Sequence, residues 1–136
     1  MNRTLVICKP DAVERGLVGE IVGRVERKGL RLVAGSLRMI DVATAGRHYA
    51  EHVGKAFYDE LVVFITRSPS FVFVAEGPDD TWRIIRTLMG PTNPAEAPPG
   101  TIRGDYGTVV AENLVHGSDS AEAAAREIAI FFPDLG

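Results

Sequence analysis

The feature that most constrains this chain is the repeated switch of its apolar spacing between strand-like runs and helical periods, with glycine or proline at nearly every change. Residues 4–8 form a short apolar run suited to a buried strand, and Lys9-Pro10-Asp11 stops it. Gly16-Leu17-Val18-Gly19 reads as a turn. From Glu20 the apolar residues Ile21, Val22 and Val25 take helical spacing, with Arg24, Glu26, Arg27 and Lys28 facing out and Gly29 as the stop. Residues 30–40 read as a second strand. Asp41 can cap a helix running to about Glu51, and a further helix spans about 58–67. Residues 71–75, aromatic and β-branched, give a third strand. Asp79 and Asp80 can cap a helix carrying Trp82, Ile84, Ile85 and Leu88. Residues 113–116 are a fourth short strand, and Ser118-Asp119-Ser120 offers caps for a helix over about 121–131.

That order predicts an α+β fold, a ferredoxin-like βαββαβ sandwich with a four-stranded antiparallel sheet and helices on its faces. A chain of 136 residues fits a single domain over 1–136. With one cysteine, Cys8, no internal disulfide can form, and Cys8 reads as a buried strand residue. A net charge of −3 argues against a general nucleic-acid binder. No apolar run approaches the ~18 residues of a membrane span, and residues 1–4 lead straight into a strand without signal-peptide architecture. The expectation is a cytoplasmic protein with no membrane partner.

Known phosphate-loop patterns are missing: there is neither GxxxxGK[ST] nor a GxGxxG in the right context. No His or Cys cluster stands at metal-ligand spacing. Bound phosphates must therefore be held by side chains. The densest candidate is 113–120, which puts His116 at a strand end, followed by a glycine that leaves the imidazole uncrowded and by a cap-rich helix start. Imidazole is a good nucleophile toward phosphorus near pH 7. A histidine satisfied by local hydrogen bonds is the plainer reading. Residues 90–108 hold four of the eight prolines, and a structureless loop of that length tends to be functional. Within it Arg103, flanked by glycines, can fork onto a phosphate or pair with Asp105. Thr92 and Arg86 could share a phosphate, and Lys9 stands at the end of the first strand, each with a bland turn or solvent-facing alternative. Together these cations, donors and a histidine are the set that phosphoryl transfer requires. His48 and His52 read as surface or structural residues.

Over nearly its whole length the chain resembles the nucleoside diphosphate kinase family. The resemblance rests on residues 4–11, 15–21, His48-Tyr49, Thr92-Asn93-Pro94-Ala95, 99–105 and above all Asn113-Leu114-Val115-His116-Gly117-Ser118-Asp119-Ser120. It implies a ping-pong transfer of the γ-phosphoryl of a nucleoside triphosphate, typically ATP, to a nucleoside diphosphate through a phosphohistidine. His116 would be the nucleophile and Glu127 would hold its other nitrogen. Lys9, Tyr49, Arg86, Thr92, Arg103 and Asn113 would contact phosphates or ribose hydroxyls. Phe57 would stack on the base, with Leu61 and Val110 lining the apolar side. The resemblance implies Mg²⁺ as cofactor, carried mainly by the nucleotide phosphates and not by protein ligands, and a homo-oligomer, hexamer or tetramer.

Several positions depart from the family pattern. The stretch between Gly77 and Gly90 is one residue longer, which leaves Arg83 or Arg86 as the site arginine, with spacing to Thr92 favouring Arg86. Ala56 replaces a usual proline, and Arg67-Ser68-Pro69 a more common Ser-Gly-Pro. The alternatives are a non-catalytic nucleotide-binding or regulatory module on the same fold and, more distantly, a ferredoxin-like RNA-binding domain. The latter would want a basic face that the charge balance does not supply.

Overall fold

Two strands at the centre of the sheet are apolar on both faces because helices cover both. A computed structural model describes residues 2–135. β1 (Asn2–Cys8) pairs antiparallel with β3 (Ser70–Gly77) along its whole length and with β4 (Val115–Gly117) on its other side, while β2 (Arg31–Arg38) pairs antiparallel with β3. The order is β2-β3-β1-β4, the ferredoxin-like arrangement expected from the element sequence. Side-chain alternation then divides the core. Val6, Cys8, Phe73 and Ala75 face α2 (Val18–Arg27), α5 (Thr81–Met89) and α6 (Ile102–Tyr106). Leu5, Ile7, Val72 and Val74 face α3 (Val42–His48), α4 (Tyr58–Thr66) and α7 (Ala121–Phe131). Cys8 is fully buried, and burial pushes its thiol up to about 12, so it is a core residue without reactivity at neutral pH.

The caps at Asp41 and Ser120 act as read: Asp41 accepts from the Thr44 amide and Ser120 from the Ala123 amide. Four local expectations change. Lys9-Pro10-Asp11 does stop β1, but Pro10 also starts α1 (Pro10–Glu14), since proline's missing N–H costs nothing in a first turn. Val18 and Gly19 lie inside α2 and not in a turn. Asp80 precedes α5 with φ of 60° and no side-chain cap; Thr81 instead donates its hydroxyl to the Pro78 carbonyl. The 90–108 segment is not structureless: it contains a 3-10 turn at Pro94–Glu96 and the helix α6, capped by Thr101 on the Gly104 amide. A Cβ on Gly104 would overlap the Pro98 carbonyl oxygen, so glycine is what lets this proline-rich chain fold back onto α6. Among the described residues no helix is long and apolar enough to cross a membrane.

Candidate active site

β4 is shifted from the expected 113–116 to Val115–Gly117 because the chain makes a tight, strained turn just before it. Leu114 has φ of 74°, left-handed for a residue with a branched side chain, and the Val115 amide bonds the Asn113 carbonyl at 2.8 Å, the γ-turn pattern. The surrounding elements hold this turn from every side. Asp11, buried in α1, accepts from the Leu114 amide at 3.1 Å, and the Lys9 amide donates to the Leu114 carbonyl at 2.9 Å. Arg103 in α6 donates from Nε to the Asn113 carbonyl (3.1 Å), from Nη2 to that of Val115 (2.7 Å) and from Nη1 to that of Gly90 (3.0 Å). His116 follows directly, so its backbone is pinned two residues upstream.

Pairing of His116 with Ile7 turns its imidazole to the α3/α7 side of the sheet. There its Nε2 lies 2.8 Å from Oε1 of Glu127 in α7, and the Ser118 hydroxyl donates to the same oxygen at 2.7 Å. Burial raises the Glu127 carboxyl, but hydrogen bonding and charge from His116, with Ser118, outweigh it and hold the group below its ordinary value. An ionised carboxylate only accepts, so Nε2 carries the proton and Nδ1 is left with a lone pair. His48, 5% exposed, packs edge-on against His116 with ring centroids 4.6 Å apart. Burial first, then repulsion from His116, drives His48 down to about 3, so it is a neutral ring.

His116 stands at the junction of two chambers. The inner one, about 250 Å³, is walled by Arg86, Arg103, Lys9 and Thr92. Burial and then the Arg103 charge lower Lys9 to about 8; its Nζ bonds the Asn113 side-chain carbonyl at 2.9 Å. Arg86 reaches the Gly117 carbonyl at 3.1 Å, while Arg83 lies over the Trp82 ring, away from the chamber. The outer slot, about 630 Å³, is walled by Phe57 at the N-cap of α4, by Leu61 and Phe64 on α4 and by Val110 in the turn at 109–112. Phe57 and Val110 are exposed, at 45% and 50%. Tyr49, Asn113 and Lys9 border both spaces.

All eleven residues singled out from the sequence, Lys9, Tyr49, Phe57, Leu61, Arg86, Thr92, Arg103, Val110, Asn113, His116 and Glu127, line one chamber or the other. Arg103 is not in a loop and does not pair with Asp105, which holds Arg24 at 2.7 Å. Three of its five N–H groups are already spent on carbonyls. Gly117 serves packing and not clearance of the imidazole: a Cβ there would meet Met89 Sδ at 2.6 Å. The sequence reading missed His48 as a neighbour of His116, Ser118 as a partner of Glu127, and Asp11 as the anchor of the turn. All three stood inside the quoted motifs, but the resemblance gave none of them a role, and His48 was read as surface or structural. Apart from Glu127, the inner wall offers the exposed carboxylates Glu51 and Asp119. His48, His116 and Glu127 bring one donor atom each within 4.8 Å of one another, a nitrogen-rich set unlike the all-oxygen shell of Mg²⁺.

Comparison with known proteins identifies the family of the chain. A family profile described as nucleoside diphosphate kinase matches residues 2–135. A nucleoside diphosphate kinase of Listeria monocytogenes is 56% identical over 132 residues, covering 97% of this chain and 89% of the relative. One from Parafrankia sp. is 53% identical over 134 residues, covering 98% and 97%. Among solved structures, a halophilic nucleoside diphosphate kinase from Halobacterium salinarum in complex with CDP superposes with a TM-score of 0.94 at 53% identity, covering 98% of this chain and 88% of that one. The apo enzyme from Encephalitozoon cuniculi gives 0.95 at 38% identity, covering 98% and 90%. The chain belongs to the nucleoside diphosphate kinase family.

Proposed function

We propose that this protein is a nucleoside diphosphate kinase that moves the γ-phosphoryl of a nucleoside triphosphate to a nucleoside diphosphate through a phosphohistidine at His116. The observation that carries the reading is the 2.8 Å bond from His116 Nε2 to an ionised Glu127, on the wall of a chamber lined by two arginines and a lysine. In the first half-reaction the Nδ1 lone pair attacks the γ-phosphorus. The N–P bond forms, the bond to the β–γ bridging oxygen breaks, and its electrons leave on the diphosphate. Glu127 stabilises the positive charge that develops on the ring by keeping the Nε2 proton bonded. After the diphosphate leaves, the terminal phosphate oxygen of a second one reverses the step.

Lys9, Arg86 and Arg103 supply charge against the phosphates, and Thr92, Tyr49 and Asn113 supply donors for phosphate or ribose. The base takes the outer slot, against Phe57 with Leu61 and Val110. The Halobacterium salinarum relative was solved in complex with CDP, which supports a nucleoside diphosphate as ligand. The activity requires a divalent metal, which we take to be Mg²⁺ riding on the nucleotide and held mainly by phosphate oxygens, with Glu51 and Asp119 as the exposed carboxylates of the inner wall. We further infer a homo-oligomer, hexamer or tetramer, working in the cytoplasm. Leu37, Met39 and Val42, each more than half exposed beside the free edge of β2, support self-association.

The test is transfer from ATP to GDP by the wild type and by His116→Ala. Activity in the first and its loss in a folded second supports the assignment. A folded His116→Ala that keeps a substantial fraction of turnover removes it.

A further inference from the structure

The far end of the outer slot is closed by a chain of charge. Phe57, Leu61, Phe64 and Arg67 follow one another at helical spacing along the slot-facing side of α4 and its two cap residues. Arg67, just past the last turn, is the one cation in that row. Its Nε and Nη2 fork onto Glu14 at the end of α1, at 3.0 and 2.6 Å, and Nη2 also reaches Glu112 at 3.1 Å. Ser68 adds its hydroxyl to Glu14 at 2.6 Å. Glu112 is half of the bridge with Val109 that closes the turn bearing Val110. One guanidinium therefore touches α1, α4 and the opposite wall of the slot.

We propose that Arg67 is a positioning residue for nucleotide binding: by tying Glu112 to the end of α4, it sets the distance between the Val110 wall and the Phe57–Leu61 wall of the slot. The 109–112 turn is anchored at its far end through Asn113 and closed by the Glu112 amide on the Val109 carbonyl, and Glu112 is the side chain that ties it to α4. Val109, Val110, Ala111 and Glu112 are all exposed, and both hydrogen bonds from the Arg67 fork run to α1, which carries no slot residue but is anchored in the core through Ala12. A bidentate, networked arginine is the kind of surface ion pair with geometric force. Arg67 also lies over the Phe64 ring at 4.7 Å, which fixes its stem against the slot floor. The role is one of preorganisation: a slot held open at base width spares the bound state the ordering of its own wall.

This inference rests on the outer slot being the base site, so the test separates the two. Steady-state kcat and KM for ADP, GDP, CDP and UDP are measured with Arg67→Ser, Glu112→Gln and Phe57→Ala. His116 phosphorylation by phosphoramidate, a donor with neither base nor ribose, is measured beside them. We expect Arg67→Ser to raise KM about two- to fivefold for all four nucleotides, in line with an exposed ion-pair network. Glu112→Gln should give a smaller rise, while kcat and the phosphoramidate rate stay within twofold. Amide hydrogen exchange at 108–112 should quicken in Arg67→Ser and not in Phe57→Ala. If Phe57→Ala raises KM but Arg67→Ser leaves KM and exchange unchanged, Arg67 positions nothing and the proposal falls. If Phe57→Ala also leaves KM unchanged, the base-site reading falls, and the proposal with it. A drop in the phosphoramidate rate with Arg67→Ser would mean general damage to the fold and would equally overturn it.

Discussion

His116 Nε2 and Glu127 Oε1 lie 2.8 Å apart across the packing of β4 against α7, and Ser118 holds the same carboxylate oxygen from the other side. The carboxylate fixes which ring nitrogen keeps its proton. Glu127→Gln retains shape and a partner for Ser118 but not the charge. It should lower kcat about 10- to 100-fold, as for carboxylates that orient other functional imidazoles, with little loss of stability. Unchanged kcat would show that the ring needs no ionised partner.

Arg103 ties together Gly90, Asn113 and Val115 by their carbonyls. Arg103→Ala leaves buried carbonyls without donors, at a cost of about 1–3 kcal/mol each where water cannot reach. It should therefore lower unfolding free energy in urea as well as kcat/KM, the latter by roughly 2–4 kcal/mol of transition-state stabilisation. Arg86 has a single carbonyl bond, to Gly117, so Arg86→Ala should cost activity with much less stability. Equal stability for wild type and Arg103→Ala would contradict the framing role.

How much of this the chain discloses in advance depends on whether the cause is local. The strands, the α7 helix and its Ser120 cap are legible, because apolar period and cap chemistry are local properties. Lys9, Arg86, Thr92, Arg103, Asn113 and His116 stand out through local chemistry, whereas Tyr49, Phe57, Leu61, Val110 and Glu127 are reached only through the family resemblance, because nothing in their own segments marks them. The helix α6 is hidden because prolines at 94, 98 and 99 precede it and its five residues carry no periodic signal. The left-handed Leu114 is imposed by Asp11, Lys9 and Arg103, none of them its neighbours in sequence. His48 is buried only because α3 is laid against α7, a tertiary fact that no helical pattern at 42–48 announces.

Burial holds His48 neutral, from an ordinary 6.5 down to about 3. The unfolded chain therefore binds a proton below pH 6.5 that the folded chain refuses. Stability is fully present above 6.5 and is lost as pH falls toward 3, by about 2 kcal/mol at pH 5. Urea unfolding at pH 7.5 and 5 should show this loss, and His48→Gln should show much less of it. Parallel pH dependence in the two proteins would rule His48 out as the source.

On the proposed reading the base lies against Phe57, Leu61 and Val110, which offer stacking and burial. Every base has a π-face, so such a wall discriminates poorly. The values of kcat/KM for ADP, GDP, CDP and UDP with one donor should spread over ~1–2 orders of magnitude, larger bases favoured. A preference above roughly 10⁴-fold for one base would require a matched polar pocket.

Burial and the neighbouring Arg103 lower Lys9 to about 8. Its charge is present below that value and lost above it, so kcat/KM should fall as pH rises through about 8. Lys9→Arg, which stays charged, should flatten that limb even if it is slower at pH 7. An alkaline limb unchanged in Lys9→Arg would assign it to another group.

Incubation with ATP labelled at the γ-phosphoryl, in the absence of any diphosphate acceptor, reads the central claim most directly. The protein should take up close to one label per chain, stable in base and labile in acid, absent from His116→Ala, and discharged onto added GDP as labelled GTP. A wild-type protein that transfers phosphoryl groups without ever carrying the label, or that carries it on a residue other than His116, would contradict the account.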